Sequence, residues 1–254
     1  MSMLIDSRWL ACIYLLALRL GVLLVMTPIF STLSGLAVLR VLFTLSVSLA
    51  IAWGMDVHLP DAPQSAGSLF AASLAELALG AAMGFGVFAA FGAFSVAGKI
   101  LDVQSGFGIG SVFDPVTRAG SPLFATIFNM LGLAVFFGMD GHHAFLRGVA
   151  FSLQQVPPGA GWQALTPEAA LRQFGLMFSL GIALVAPVMF CLFLIEIGLA
   201  LVSRILPQMN VFVVGIPVKI VAGVAMLALT VGHLGPVMGR VYASAFNYWE
   251  QVLR

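Results

Sequence analysis

The sequence predicts an all-α integral membrane protein with about six hydrophobic helical segments arranged as kinked hairpins. Three observations predict it. Of 254 residues, 61% are hydrophobic and only 8% are charged, whereas soluble domains carry about 25% charged residues. The apolar residues fall in long runs, on the scale of the roughly 20 residues a helix needs to cross a bilayer core. Short polar stretches marked by Pro and Gly separate those runs. The net charge of +1 points to neither nucleic acid nor an acidic substrate as partner. Cys12 and Cys191 both lie inside apolar runs, as small buried thiols do, and two such cysteines build no disulfide framework or metal spacing.

The first segment runs from Trp9 to Phe30 and ends at Thr27-Pro28. Arg8 precedes it and Arg19 interrupts it without a convincing small-x-small cleavage site, so a retained N-terminus is expected, as is the absence of lipidation signals at both ends. The second spans about Leu36 to Trp53, followed by a polar loop with Asp56, His58, Pro60, Asp61 and Pro63. The third, Ser68 to Ala97, is too long for a perpendicular span and must tilt, bend or protrude. Leu123 to Met139 and a short run from Ala144 to Leu153 come next. Pro157-Pro158-Gly159 and Thr166-Pro167-Glu168 mark a loop, with Thr166 as N-cap and Pro167 at the first helical position. The fifth stretch, Leu171 to Val202, contains Pro187, where a kink is expected. Arg204 to Asn210 turns, Val211 to Leu234 returns, and a tail with Arg240, Asn247, Glu250 and Arg254 closes the chain. Basic residues fall on both sides of these segments, so they set no orientation.

Between the two apolar halves lies a glycine-punctuated segment from Lys99 to Pro122. Gly106, Gly108 and Gly110 permit backbone angles that other residues avoid, and Asp114-Pro115 favours a turn. Phe107, Ile109, Val112 and Phe113 are too apolar for a solvated linker. Lipid cannot satisfy the backbone of such a segment, so it should be buried in protein or line a cavity, obstructing or lining a passage.

Four charges interrupt apolar stretches: Arg19, Glu76, Glu196 and Lys219. Each costs about 2.5 to 3.5 kcal/mol at a helix centre and should face protein or water. One reading makes Glu76 and Glu196 carriers in an ion or proton pathway. The other, favoured because no second acid sits one turn away, makes the four residues polar contacts between helices or subunits. Asp140-Gly141-His142-His143 could suggest a metal site or a general base, but adjacent helical positions do not face each other and no acid follows at i+3 or i+4. Gly106-x-Gly-x-Gly lacks the spacing and preceding strand of a dinucleotide fingerprint. Gly80-x-x-x-Gly84, with Gly86 and Gly92, suits close helix packing. No catalytic residues, cofactor or metal are expected.

Gly98-Lys99-Ile100, Asp102-Val103-Gln104-Ser105-Gly106 and Val112-Phe113-Asp114-Pro115 resemble the FliR family of flagellar type III export-gate proteins. Ser121-Pro122-Leu123, Asn129-Met130-Leu131, Asp140-Gly141-His142 and the stretch from Arg204 to Pro217 continue the resemblance in the same order, and Thr27-Pro28-Ile29-Phe30 fits upstream. Ala186-Pro187 and Pro217-Val218-Lys219-Ile220 are similar to FliQ, with Val218 standing between proline and lysine. The resemblance implies one membrane domain, with a FliP-like part over 1–170 carrying a plug loop at 104–121, and a FliQ-like hairpin over 171–254. It implies a subunit of a helical export-gate assembly with FliP-like and FliQ-like chains and an FlhB-type neighbour, in the bacterial cytoplasmic (inner) membrane within the flagellar basal body. Unfolded flagellar subunits would cross it, and Gly106, Phe107, Gly108, Ile109, Gly110, Phe113, Asp114 and Pro115 would form the plug. The related injectisome SctT family is the alternative. A secondary transporter using Glu76 and Glu196, and a membrane enzyme built around His142 and His143, stand further off.

Overall fold

A computed structural model describes residues 7–28, 37–55, 59, 65–106, 122–160, 167–206 and 211–253. Among the described residues the secondary structure is helical: α1 (Ser7–Met26), α2 (Ala37–Gly54), α3 (Ala66–Ser105), α4 (Leu123–Gly138), α5 (Gly141–Gln155), α6 (Pro167–Ile205), α7 (Val211–Thr230) and α8 (Gly235–Leu253), with a 3-10 turn at Val231–His233. By length and composition α1, α3, α6 and the stretch Val213–His233 can each cross a membrane, and α4 with α5 passes the same test together as a bent pair. With the shorter apolar α2 these make the six segments read from the sequence.

Three boundaries differ from the sequence reading. Helix α3 continues through Lys99 to Ser105, residues expected in the polar central segment. Nothing before Gly106 breaks it, and Leu101 and Ser105 are fully buried. Helix α5 begins at Gly141 rather than Ala144, after Asp140 adopts a left-handed φ of 56°. Asp tolerates that region through its short polar side chain. The segment read as a closing tail is helix α8, in which Met238, Val241, Tyr242, Ala245, Tyr248 and Trp249 are buried while Arg240, Asn247 and Glu250 are exposed. That i, i+3, i+4 spacing is an amphipathic stripe. Helix α6 begins with Pro167 at its first position and runs on through Pro187.

The chain divides into two compact units, Met1–Ala89 with Asp140–Phe174 and Ser244–Arg254, and Ala90–Met139 with Gly175–Ala243. In the first, Cys12, Leu15, Leu16, Ala52, Leu59 and Leu153 form one buried cluster. Gly80 lets α3 approach α1 so closely that a Cβ there would lie 2.5 Å from the Arg19 carbonyl oxygen. Trp249 is fully buried, donates from Nε1 to the Met83 carbonyl at 2.7 Å, and lies over Gly148. Its neighbour Tyr248 packs edge-on against Phe85, and burial pushes its phenol up to about 12.

The second unit is organised around aromatic rings. Phe91, Phe136 and Tyr242 surround one another with centroids 5.4 to 5.6 Å apart, and Phe94 stacks on Tyr242 at 5.7 Å. Tyr242 satisfies its buried hydroxyl by donating to the Gly132 carbonyl. Gly98 brings the α3 and α4 backbones into contact, since a Cβ there would lie 2.3 Å from Ala125 Cα.

Because that neighbour is backbone, Gly98→Ala should cost about 1 to 3 kcal/mol. We expect a lowered melting temperature in mild detergent, and an unchanged midpoint would contradict the close approach.

Candidate functional site

Helix α3 ends where Gly106 takes a positive φ of 87° and donates its N–H to the Val103 carbonyl. A glycine suits that helix-terminating conformation because it lacks a Cβ. The remaining members of the expected plug, Phe107, Gly108, Ile109, Gly110, Phe113, Asp114 and Pro115, lie outside the described residues. The two stems flanking them are described, and one side chain joins them.

That side chain is Asp102. Its Oδ1 accepts the Phe124 N–H and its Oδ2 the Ala125 N–H, both at 2.9 Å. The first N–H groups of a helix have no partner inside it, and Pro122 at the N-cap of α4 makes no side-chain cap bond. The carboxylate, only 4% exposed, supplies what the cap residue does not, and its charge favours the positive end of the helix dipole. No role for Asp102 follows from local sequence, because the groups it accepts lie 22 and 23 residues away.

The structure brings the four interrupting charges together as two pairs, one in each unit. In the first unit Arg19 Nε donates to Glu76 Oε2 at 2.6 Å and Nη2 to Oε1 at 3.0 Å. Arg19 Nη1 reaches the carbonyl and hydroxyl oxygens of Ser152, both at 3.3 Å, and Nη2 reaches the Val156 carbonyl at 2.9 Å. The Gly159 N–H donates to Glu76 Oε1 at 3.0 Å from a residue with φ of 76°. Arg19 and Glu76 are 1% and 3% exposed. The group is a fully bonded tie between α1, α3, α5 and the turn after α5. The Glu76 carboxylate thus has three donors, two of them from the Arg19 guanidinium.

In the second unit Lys219 Nζ lies 3.2 Å from Glu196 Oε1 and 3.3 Å from the Gln104 carbonyl. Gln104 Nε2 donates to the Met189 carbonyl at 2.9 Å. The Glu196 side chain is 56% exposed, so this pair contributes little by itself. Its effect is to join α7, α6 and the last turn of α3.

Asp140, His142 and His143 place possible ligand atoms within 4.8 Å of one another. The two imidazole centroids are 4.1 Å apart and His143 Nδ1 is 3.5 Å from Asp140 Oδ1. The expectation that adjacent positions keep these rings apart is therefore corrected: His142 and His143 lie side by side at the start of α5. The cluster could offer three donors to a divalent transition metal, although Asp140 and His143 are solvent-exposed. His58 lies outside the described residues and His233 is exposed in the 3-10 turn.

Removing one partner of a buried ion pair leaves the other uncompensated, at a cost of about 3 to 5 kcal/mol. Arg19→Leu or Glu76→Leu should each lower detergent-solubilised thermal stability by that order, and the double variant should lose less than the sum. Additive losses in the thermal series would sink the pairing. Asp102→Ala removes both acceptors and should destabilise the protein by about 0.5 to 2 kcal/mol, while Asp102→Asn retains one acceptor and should lose less. Hydrogen exchange at the Phe124 and Ala125 amides reads this directly, and equal protection in wild type and Asp102→Ala would rule out the cap.

The sequence of the chain matches the family described as bacterial export proteins, family 1, over residues 10–245. It is 30% identical over 182 residues to the flagellar biosynthetic protein FliR of Bacillus subtilis, covering 70% of either chain. With the Escherichia coli FliR it shares 27% identity over 248 residues, 96% of this chain and 94% of that one. The Yop proteins translocation protein T of Yersinia pestis is 28% identical over 159 residues, 61% of this chain and 60% of its own length. The all-helical architecture, the apolar segments and a match spanning nearly the whole length agree, and the chain belongs to the bacterial export proteins, family 1.

Proposed function

We propose that the chain is a non-enzymatic subunit of a flagellar type III protein export gate. It assembles with FliP-like and FliQ-like chains, beside an FlhB-type neighbour, in the bacterial inner membrane at the flagellar basal body. The observation that carries this reading is the nearly end-to-end similarity to the Escherichia coli flagellar protein, over 96% of this chain. The shorter match to the Yersinia translocation protein, over 61% of the chain, supports the injectisome as the second reading. Within the proposal, residues 1–170 supply the FliP-like part and 171–254 the FliQ-like hairpin.

Surface chemistry supports an assembled state. Trp53 on α2 is 78% exposed, and Phe190, Phe193, Leu194, Ile197 and Leu201 on α6 are also exposed. Contiguous apolar faces of this kind call for lipid or protein against them. In a membrane, small residues and polar contacts favour helix association over lipid alone. Residues 106–115 act as the plug: Phe107, Ile109 and Phe113 exclude water and ions, and the interspersed glycines let the segment move aside for an unfolded polypeptide. Asp102 holds the stems of that segment while its centre yields.

Deleting the gene should abolish swimming while leaving effector injection unaffected, if the organism has both systems; the reverse pattern selects the injectisome reading. Extraction in mild detergent should co-isolate FliP-like and FliQ-like chains, and recovery of a lone monomer would remove the gate assignment. Phe107→Gly with Phe113→Gly should raise ion conductance across membranes carrying the assembled complex. Unchanged conductance would count against the plug.

A further inference from the structure

The second unit contains a cleft of about 980 Å³ formed by the last two turns of α3, the C-terminal half of α6 and the first half of α7. These belong to helices long and apolar enough to cross a membrane. Its walls include Ile100, Val103, Leu199 and Ile216. Lys99, Lys219 and Glu196 also line it, so the charges of its lining residues sum to +1. The Glu196 carboxylate is taken up by Lys219. Lys99 is exposed and has no acidic partner among the described residues. Gln104 spends its Nε2 on the Met189 carbonyl, and its buried Oε1 has no donor among the described residues.

These features are those of a lipid site. Apolar walls between membrane-spanning helices fill with acyl chains rather than water, and basic pockets between such helices take anionic headgroups. Lysines near helix ends bury their methylene stems and bring the ammonium to the headgroup level. A phosphodiester carries one negative charge, which balances the net charge of this cleft.

We propose that the cleft binds one anionic phospholipid. Its phosphodiester lies against the Lys99 and Lys219 ammonium groups, and its acyl chains run along Ile100, Val103, Leu199 and Ile216. Glu196 is the competing anion and limits the affinity. The site does not depend on the export reading, since it rests on the charge and lining of the cleft and on the apolar length of its helices.

Native mass spectrometry of the full chain in mild detergent tests it, with phosphatidylglycerol and phosphatidylcholine titrated in parallel. One phosphatidylglycerol should be retained where phosphatidylcholine is not. Lys99→Gln should weaken that retention about fivefold, Lys99→Arg should preserve it, and Glu196→Gln should strengthen it. Circular dichroism verifies that each variant keeps its helical content. Excess inorganic phosphate should not displace the lipid, because it lacks the acyl chains. Equal retention of the two lipids, insensitivity to Lys99→Gln, or displacement by phosphate would each overturn the assignment. A photo-crosslinker at Val103 in cells should label lipid; a crosslink to a protein chain would give the cleft to a partner helix and overturn it as well.

Discussion

The first unit depends on one buried ion pair. Arg19 and Glu76 are stripped of water on helices that are otherwise apolar, and each would carry a large desolvation penalty alone. They offset it by saturation: every polar atom of the Glu76 carboxylate has a donor, and the Arg19 guanidinium reaches Ser152 and Val156 as well as Glu76. The geometry works only if α1 and α3 lie close, and Gly80 against the Arg19 backbone provides that approach. The pair therefore acts as a register pin, fixing which turn of one helix meets which turn of the next. Apolar side chains cannot enforce that choice as sharply, because one greasy turn is nearly equivalent to its neighbour.

Asp102 plays the corresponding role in the second unit with a different chemistry. It pairs with helix N–H groups rather than with a cation, so a single carboxylate closes the N-terminus of α4 on the side of α3. Gly98 lets the two backbones meet one turn earlier. Polar satisfaction and small-residue contact thus occur side by side, as they do where Gly80 faces Arg19. Both units use the same device, in which a buried polar group sets register and an adjacent glycine sets distance.

This arrangement keeps backbone groups paired where α3 ends and α4 begins. Backbone in an apolar environment needs internal partners, and helix ends are where those partners run short. At the base of the central segment Asp102 closes the first N–H groups of α4, and Gly106 ends α3. The aromatic cluster of Phe91, Phe94, Phe136 and Tyr242 adds rigidity on the same helices, its hydroxyl bonded to Gly132. Burial also pushes the Tyr242 phenol up from its ordinary value, so it stays a neutral donor.

Membrane character, the number of apolar segments and the family were legible in the sequence, because hydropathy is a sum over local residues and a family pattern is a string of them. Arg19, Glu76, Glu196 and Lys219 stood out for the same reason, as charges in apolar runs. The amphipathic stripe from Met238 to Trp249 was also written locally, although its exposed Arg240, Asn247 and Glu250 gave it the look of a polar tail. Which charge meets which could not be read, since Arg19 and Glu76 are 57 residues apart and Asp102 finds its partners across the central segment. Local composition determined that these groups needed partners. Only the tertiary structure decided their identity, because a buried charge is satisfied by whatever the packing of other helices brings within hydrogen-bond reach.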